Sequence, residues 1–231
     1  MGLVINDKKV YRIMKKLKIS ALPKRRSYHS YRGQIGKTCK NLLLTKKKDD
    51  KRNVYIYERQ LAANKPYEKL GTDITQFITR FGKLYLSPVI DFYTREVLAY
   101  DISEHPDYAQ IRRMMKQLFK NHGEVFTGAI LHSDQGYQYQ MKAYQELLKK
   151  HGIKQSMSRK GNCLDNSPTE NFFGRLKTEI FYDNENNFKS LDDLKYHIEK
   201  YIDYYNKTRI VVRLGDSPFN VRCGRMKQGQ V

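Results

Sequence analysis

The sequence predicts an α/β fold, a five-stranded mixed sheet flanked by helices, with a short basic helical segment ahead of it. Three observations carry this. From residue 66 onward, stretches that alternate every second residue give way to stretches with helical spacing. The first three extended stretches are joined by short breaks, the mark of an antiparallel meander. Charge also divides the chain. Residues 1–60 hold 18 Lys+Arg against 4 Asp+Glu, whereas residues 61–231 hold 26 against 20.

The elements follow in order. "DKKVYRIMKKLK" places Val10, Ile13, Met14 and Leu17 on one face and lysines on the other, a basic amphipathic helix. Residues 20–62 mix Pro, Gly, Tyr and basic residues without a period and read as a mostly extended linker that tracks phosphates. "EKLGTDITQFI", "KLYLSPVIDFYT" and "REVLAYDIS" read as three strands. "YAQIRRMMKQLFKNHG" is a helix with Ile111, Met114, Met115, Leu118 and Phe119 on one face and Gly123 at its end. "GAILHSD" is a fourth strand, "QMKAYQELLKKHG" a helix ended by Gly152, and "IKQSMS" a fifth strand. The polar loop "RKGNCLDNS" leads into a helix with Ser167 as its expected N-cap and Pro168 in its first turn. A last long helix follows Ser190, which forms a capping-box pattern with Asp193. The residues from Lys207 read as basic and irregular. This order of strands and helices is the one expected of a ribonuclease H-like domain. The expected organisation is a short basic helical segment over 1–19, the linker over 20–62, the α/β domain with its last long helix over 63–222 and a tail over 223–231.

Composition narrows the function. A net charge of +20, concentrated in the first 60 residues, points to a polyanionic partner, most simply nucleic acid. Cys39, Cys163 and Cys223 lie far apart. They form neither a zinc-ligand pair nor a disulfide framework, and reduced thiols in the cytoplasm fit best. No apolar run approaches the length of a membrane span, so no membrane role is expected.

Three acids stand out: Asp73 within the first strand, Asp134 at the end of the fourth, and Glu170 in the first turn of the helix after the loop. In a ribonuclease H-like sheet the first and fourth strands are neighbours, so the two aspartates meet and the helix brings in Glu170. Such a cluster is repulsive alone and favourable around hard divalent cations, which clamp the oxygens of a phosphoryl displacement. Each acid also has a plain structural role open to it. Asp73 suits a polar edge-strand position, Asp134 an Asx turn and Glu170 the positive end of a helix. Their joint placement favours the chemistry. Lys177, seven residues after Glu170, shares its helix face and is expected to reach a phosphate, beside an apolar face of Phe173, Leu176 and Ile180. His132 shares the strand parity of Asp134 and suits either a substrate contact or a structural histidine. Asp91 reads as a turn former. Asp165, with Asn162 and Asn166, shapes the loop or contacts DNA.

"GTDIT", "HSDQGYQY", "SMSRKGNCLDNSPTENFFGRLKTE" and "YIDYYNKTRI" together resemble the DDE transposases of bacterial insertion sequences, the type closest to retroviral integrases. The 35-residue gap between Asp134 and Glu170 and the Lys seven after the Glu are hallmarks of that group. The resemblance implies an integrase catalytic core with Asp73, Asp134 and Glu170 as the triad. It implies two Mg²⁺ ions, with Mn²⁺ able to substitute, and hydrolysis that frees a 3′-hydroxyl for strand transfer. Candidate DNA contacts are Lys177, Arg175, Lys160, Arg159, Asn162 and His132 around the site, and Lys24, Arg25 and Arg26 in the linker. The implied partners are double-stranded DNA (terminal repeats and target), further copies of the chain on that DNA, and a DNA-binding protein from an upstream frame, fused or associated. The chain departs from the group in carrying Leu70 where a Trp is usual and in a shortened "RLGDSPFNVR" ending. It also begins at the last helix of the usual helix-turn-helix region. Two other readings remain: an inactive remnant that occupies element ends, and a cellular nuclease of the same fold. Inverted repeats flanking the gene would disfavour the nuclease.

Overall fold

The computed structural model describes residues 6–19, 37–49, 54–159 and 163–224. Helix α1 (Asp7–Lys16) is capped by the Asn6 side chain, which accepts from the Lys8 N–H at 2.8 Å. None of its residues is buried, and Val10, Ile13 and Leu17 are exposed. The expected linker is not simply extended. It contains an antiparallel ribbon of β1 (Leu44–Asp49) and β2 (Val54–Arg59). Ahead of the ribbon, residues 39–43 run beside the last strand of the main sheet. The Met157 N–H donates to the Lys40 carbonyl at 3.5 Å, the Leu42 N–H to Ser156 Oγ at 2.9 Å, and Leu43 is buried.

The main sheet is mixed. Its first strand breaks in two, β3 (Lys69–Thr72) and β4 (Thr75–Thr79), both antiparallel to β5 (Gly82–Asp91). The alternation of "GTDITQFI" continues across the break and hides it in the sequence. β6 (Val97–Ser103) pairs antiparallel with the other side of β5. After α2 (Tyr108–His122), strand β7 (Ile130–Ser133) pairs parallel with β3, and β8 (Lys154–Met157) pairs parallel with β7. Between them lie a one-turn helix α3 (Tyr137–Gln140), which the sequence reading lacked, and α4 (Lys142–Lys150). Six strands stand where five were expected, because the first one is interrupted.

Helices cover both faces. Ile111, Met114, Met115 and Leu118 of α2 pack with Leu70, Leu131 and Met157. Burying each such side chain contributes about 1.5–3 kcal/mol. On the other face, α5 (Ser167–Leu176) and α6 (Leu191–Lys207) bring Phe172, Leu176, Leu194 and Ile198 against Phe77, Leu86 and Ile90. Leu70, in place of the usual Trp, is fully buried. Ser190 caps α6 by accepting from the Asp193 N–H, while the Asp193 carboxylate accepts from the Lys189 N–H. Residues 208–224 are more regular than expected. Ser217 caps a short α7 (Pro218–Arg222), and Arg222 Nε bonds Glu96 Oε2 at 2.5 Å.

Candidate active site

The parallel pairing of β3 with β7 sets Leu70 opposite Leu131 and Gly71 opposite His132. Two residues on, the same offset matches Asp73 with Asp134. Each is the first residue past its strand, so both stand at the carboxyl end of a parallel pair, where open α/β sheets hold ligands. Asp73 is thus at the strand break, not within a strand as expected. Burial and then the charge of Asp134 push its carboxyl well above the usual range. The Ile74 N–H opposes this, Glu170 adds to it, and Lys177 relieves it. Burial likewise raises Asp134, against a hydrogen bond from the Gly136 N–H at 2.9 Å. Asp134 therefore makes its Asx turn and faces Asp73 at once; the two readings of it are compatible.

Glu170 lies in the first turn of α5. That turn reaches β3 because Gly71 has no side chain: a Cβ there would run into the Phe92 ring and Thr169 Oγ1. The cap of α5 is Asn166, one residue before the expected Ser167, and its side chain makes no cap hydrogen bond. It is used as a bridge instead. Asn166 Nδ2 donates to the Thr72 carbonyl at 3.1 Å and Oδ1 accepts from Thr169 Oγ1 at 2.9 Å. The residues before Asp73 and before Glu170 are thereby tied to one amide. Asn166 shapes the site, as one of the two readings of the loop had it. Its amide gave no hint in the sequence of which backbone it would clasp.

Next to it, Asp165 is 1% exposed and collects donors from three segments. Arg159 binds it through Nε and NH2 at 3.1 Å, Arg59 Nε at 2.9 Å and Asn41 Nδ2 at 3.0 Å. Burial pushes its pKa up, but the bonds from Arg159 and Arg59 outweigh that and hold it below the usual value. Arg159, expected on DNA, is engaged here. Asp91 is the turn former expected: its buried carboxylate accepts from the N–H groups of Tyr67, Tyr93 and Thr94.

His132 is corrected. It is completely buried, with Nδ1 2.8 Å from Ser156 Oγ and Nε2 3.1 Å from Ser158 Oγ. Burial lowers its pKa to about 4, so it is neutral near pH 7 and out of reach of DNA. Lys177 starts a π turn over Lys177–Phe181 and sits over the Phe77 ring at 5.2 Å. Burial lowers its pKa to about 8, and Asp73 counters the shift. Arg175 is exposed on α5. Tyr139 is buried with its hydroxyl 3.5 Å from Thr72 Oγ1, where burial and then the charges of Asp73 and Asp134 push its pKa up, a placement the sequence did not signal. Lys24, Arg25, Arg26, Lys160 and Asn162 lie outside the described residues. Among the described residues, no group of three or more His, Cys, Asp or Glu forms a ready metal cage, and no helix is long and apolar enough to cross a membrane.

A carboxylate pair at the open end of this sheet, within a basic chain, defines a core of the polynucleotidyl transferase type. Family models bear on both halves: "Integrase core domain" models match residues 63–163 and 170–224. The putative transposase InsK for insertion sequence element IS150 of Escherichia coli is 45% identical over 96% of this chain and 72% of its own length. A transposase-like protein of Haemophilus influenzae is 47% identical over 94% and 93%. Among solved structures, the HTLV-2 integrase catalytic core domain in complex with magnesium aligns with a TM-score of 0.54 at 16% identity, over 70% of this chain and 99% of that one. The simian T-cell lymphotropic virus intasome gives 0.58 at 15%, over 73% of this chain and 58% of that one. These likenesses show a ribonuclease H-like integrase fold. The chain belongs to the integrase core domain family, among the transposases of bacterial insertion sequences, and its function is DNA transposition.

Proposed function

We propose that the chain cuts DNA and transfers strands through Asp73, Asp134 and Glu170. The observation that carries this is the aspartate pair at matched ends of parallel neighbours, both carboxyls raised by burial and Asp73 also by the charge of Asp134, with Glu170 and Lys177 acting on Asp73 as well. The donor set fits a hard cation: carboxylate oxygens that repel one another and gain from a positive charge between them. Asp73, Asp134 and Glu170 would hold two Mg²⁺, with Mn²⁺ able to substitute. Bound there, the ions supply charge neutralisation to the attacking and leaving oxygens of a phosphoryl displacement.

The chain's own residues do the rest. The Gly136 N–H fixes one oxygen of Asp134. Asn166 holds the ends of β3 and α5 together, and Lys177 adds positive charge beside Asp73 for a phosphate. Water is the first nucleophile and breaks a P–O3′ bond, leaving a 3′-hydroxyl and a 5′-phosphate; that hydroxyl then attacks a phosphodiester of the target and displaces its 3′-oxygen, which leaves as a hydroxyl. Partners are duplex DNA, at element ends and target, and further copies of the chain on that DNA. An upstream-frame DNA-binding protein would supplement the basic arm. The setting is the cytoplasm, on the nucleoid.

The test is nicking of supercoiled plasmid with Mg²⁺ or Mn²⁺ by the chain, Glu170→Gln and Asp134→Asn. Nicking by the unsubstituted chain alone, with DNA affinity equal or slightly higher in Asp134→Asn, is expected. Metal-dependent nicking that persists in either variant would remove that residue from the site.

A further inference from the structure

The β1–β2 ribbon has two unlike faces. Opposed pairs in its register are Leu44 with Arg59, Lys46 with Tyr57, and Lys48 with Tyr55. Directly opposed residues share a face, and alternate residues along a strand share it too. One face therefore carries Lys46, Lys48, Tyr55, Tyr57 and Arg59. Lys46 Nζ lies 3.7 Å from the centroid of the Tyr55 ring, which confirms the shared side. Tyr55 is 59% and Tyr57 47% exposed. The other face carries Lys47 and Glu58, which neutralise each other at 2.7 Å, beside Val54 and Ile56.

The cationic face is joined to the catalytic end of the molecule. Arg59, at its base, bonds Asp165, and the Arg159 guanidinium lies 5.4 Å from the Tyr57 ring. Asp165 directly precedes Asn166, the residue that ties Asp73 to Glu170. A row of Lys and Tyr thus leads outward from the loop that positions the carboxylates.

We propose that this face of the ribbon is a docking surface for the sugar–phosphate backbone of duplex DNA flanking the scissile site. The inference rests on the strand-cutting reading above. Its argument is charge complementarity and shape. Six-residue strands span roughly 17 Å, and a two-stranded ribbon is narrow enough to lie along or within the major groove. Lys and Tyr side chains are phosphate donors. The exposed ammonium groups of Lys46 and Lys48 release counterions on binding. Glu58, the acid of β2, lies on the other face with Lys47.

The experiment is titration of a fluorescein-labelled duplex with the full chain over a range of salt, comparing Lys46→Glu/Lys48→Glu with Lys47→Glu. The double variant is expected to bind about tenfold more weakly and to flatten the salt dependence by about two contacts' worth. Lys47→Glu breaks the ion pair with Glu58 but lies on the other face, and is expected to bind within about twofold of the unsubstituted chain. Equal affinity and slope in the double variant would overturn the proposal, as would an equal loss in Lys47→Glu, which would mean a general field with no preferred face. If the unsubstituted chain failed to bind DNA, the strand-cutting reading would fall with it. Failure of the ribbon alone leaves plasmid nicking and its dependence on Glu170 intact.

Discussion

At the scale of single residues, the site depends on side chains that carry no charge. Asn166 is 3% exposed and makes both of its bonds to residues that precede an acid. Asn166→Ala would leave the Thr72 carbonyl buried without a donor, a cost of about 1–3 kcal/mol. The expected outcome is a lower denaturation midpoint together with a loss of nicking, with duplex affinity unchanged. Asn166→Asp keeps the acceptor for Thr169 and loses the donor to Thr72, so its nicking should fall as well. Nicking that survives both changes would show that the bridge does not position the carboxylates. The meeting of Asp73 and Asp134 was legible in the sequence, because an Asp at the end of an apolar run needs a reason. Asn166 was legible only as a loop polar residue. Spacing says nothing about which of several amides will clasp a given carbonyl. His132 misled for a related reason: strand parity placed it on a face but could not show that Ser156 and Ser158 of the neighbouring strand enclose it.

At the scale of elements, the approach of α5 to β3 decides where Glu170 stands. Gly71 permits that approach, since a side chain there would meet Phe92 and Thr169. Gly71→Ala therefore should push the first turn of α5 outward. Overpacking of this kind costs about 1–3 kcal/mol. Glu170 would move with the turn, so nicking should fall more than stability alone explains when both are measured below the melting transition. Normal nicking in a folded Gly71→Ala protein would place the control of Glu170 elsewhere. The glycine was visible in "GTDIT", yet a glycine in a strand has several uses, and only the partner helix reveals this one. Two further elements escaped the sequence reading. The break between β3 and β4 is masked by alternation that runs through Asp73. The ribbon is masked by three consecutive lysines in β1, poor strand formers that look like linker.

At the scale of the whole molecule, the basic arm combines two roles that truncation can separate. Residues 1–36 hold ten of the 44 Lys+Arg and one acid. Residues 39–59 do structural work on the core. Leu43 is buried, the Leu42 N–H bonds Ser156, and Asn41 and Arg59 supply two of the donors to Asp165. Removal of residues 1–36 should weaken duplex binding and flatten its salt dependence while leaving the unfolding midpoint in place. Removal of residues 1–60 should flatten the salt dependence further and also destabilise the core. It would uncover β8 and leave Asp165 with Arg159 as its remaining cation among the described residues. A buried carboxylate that loses one of two cationic partners costs several kcal/mol, so the longer truncation should melt earlier and nick poorly even at low salt. Equal melting of the two truncations would show that the arm serves DNA only. An unchanged salt slope in both would show that the charge asymmetry, the plainest feature of the sequence, does not act on DNA.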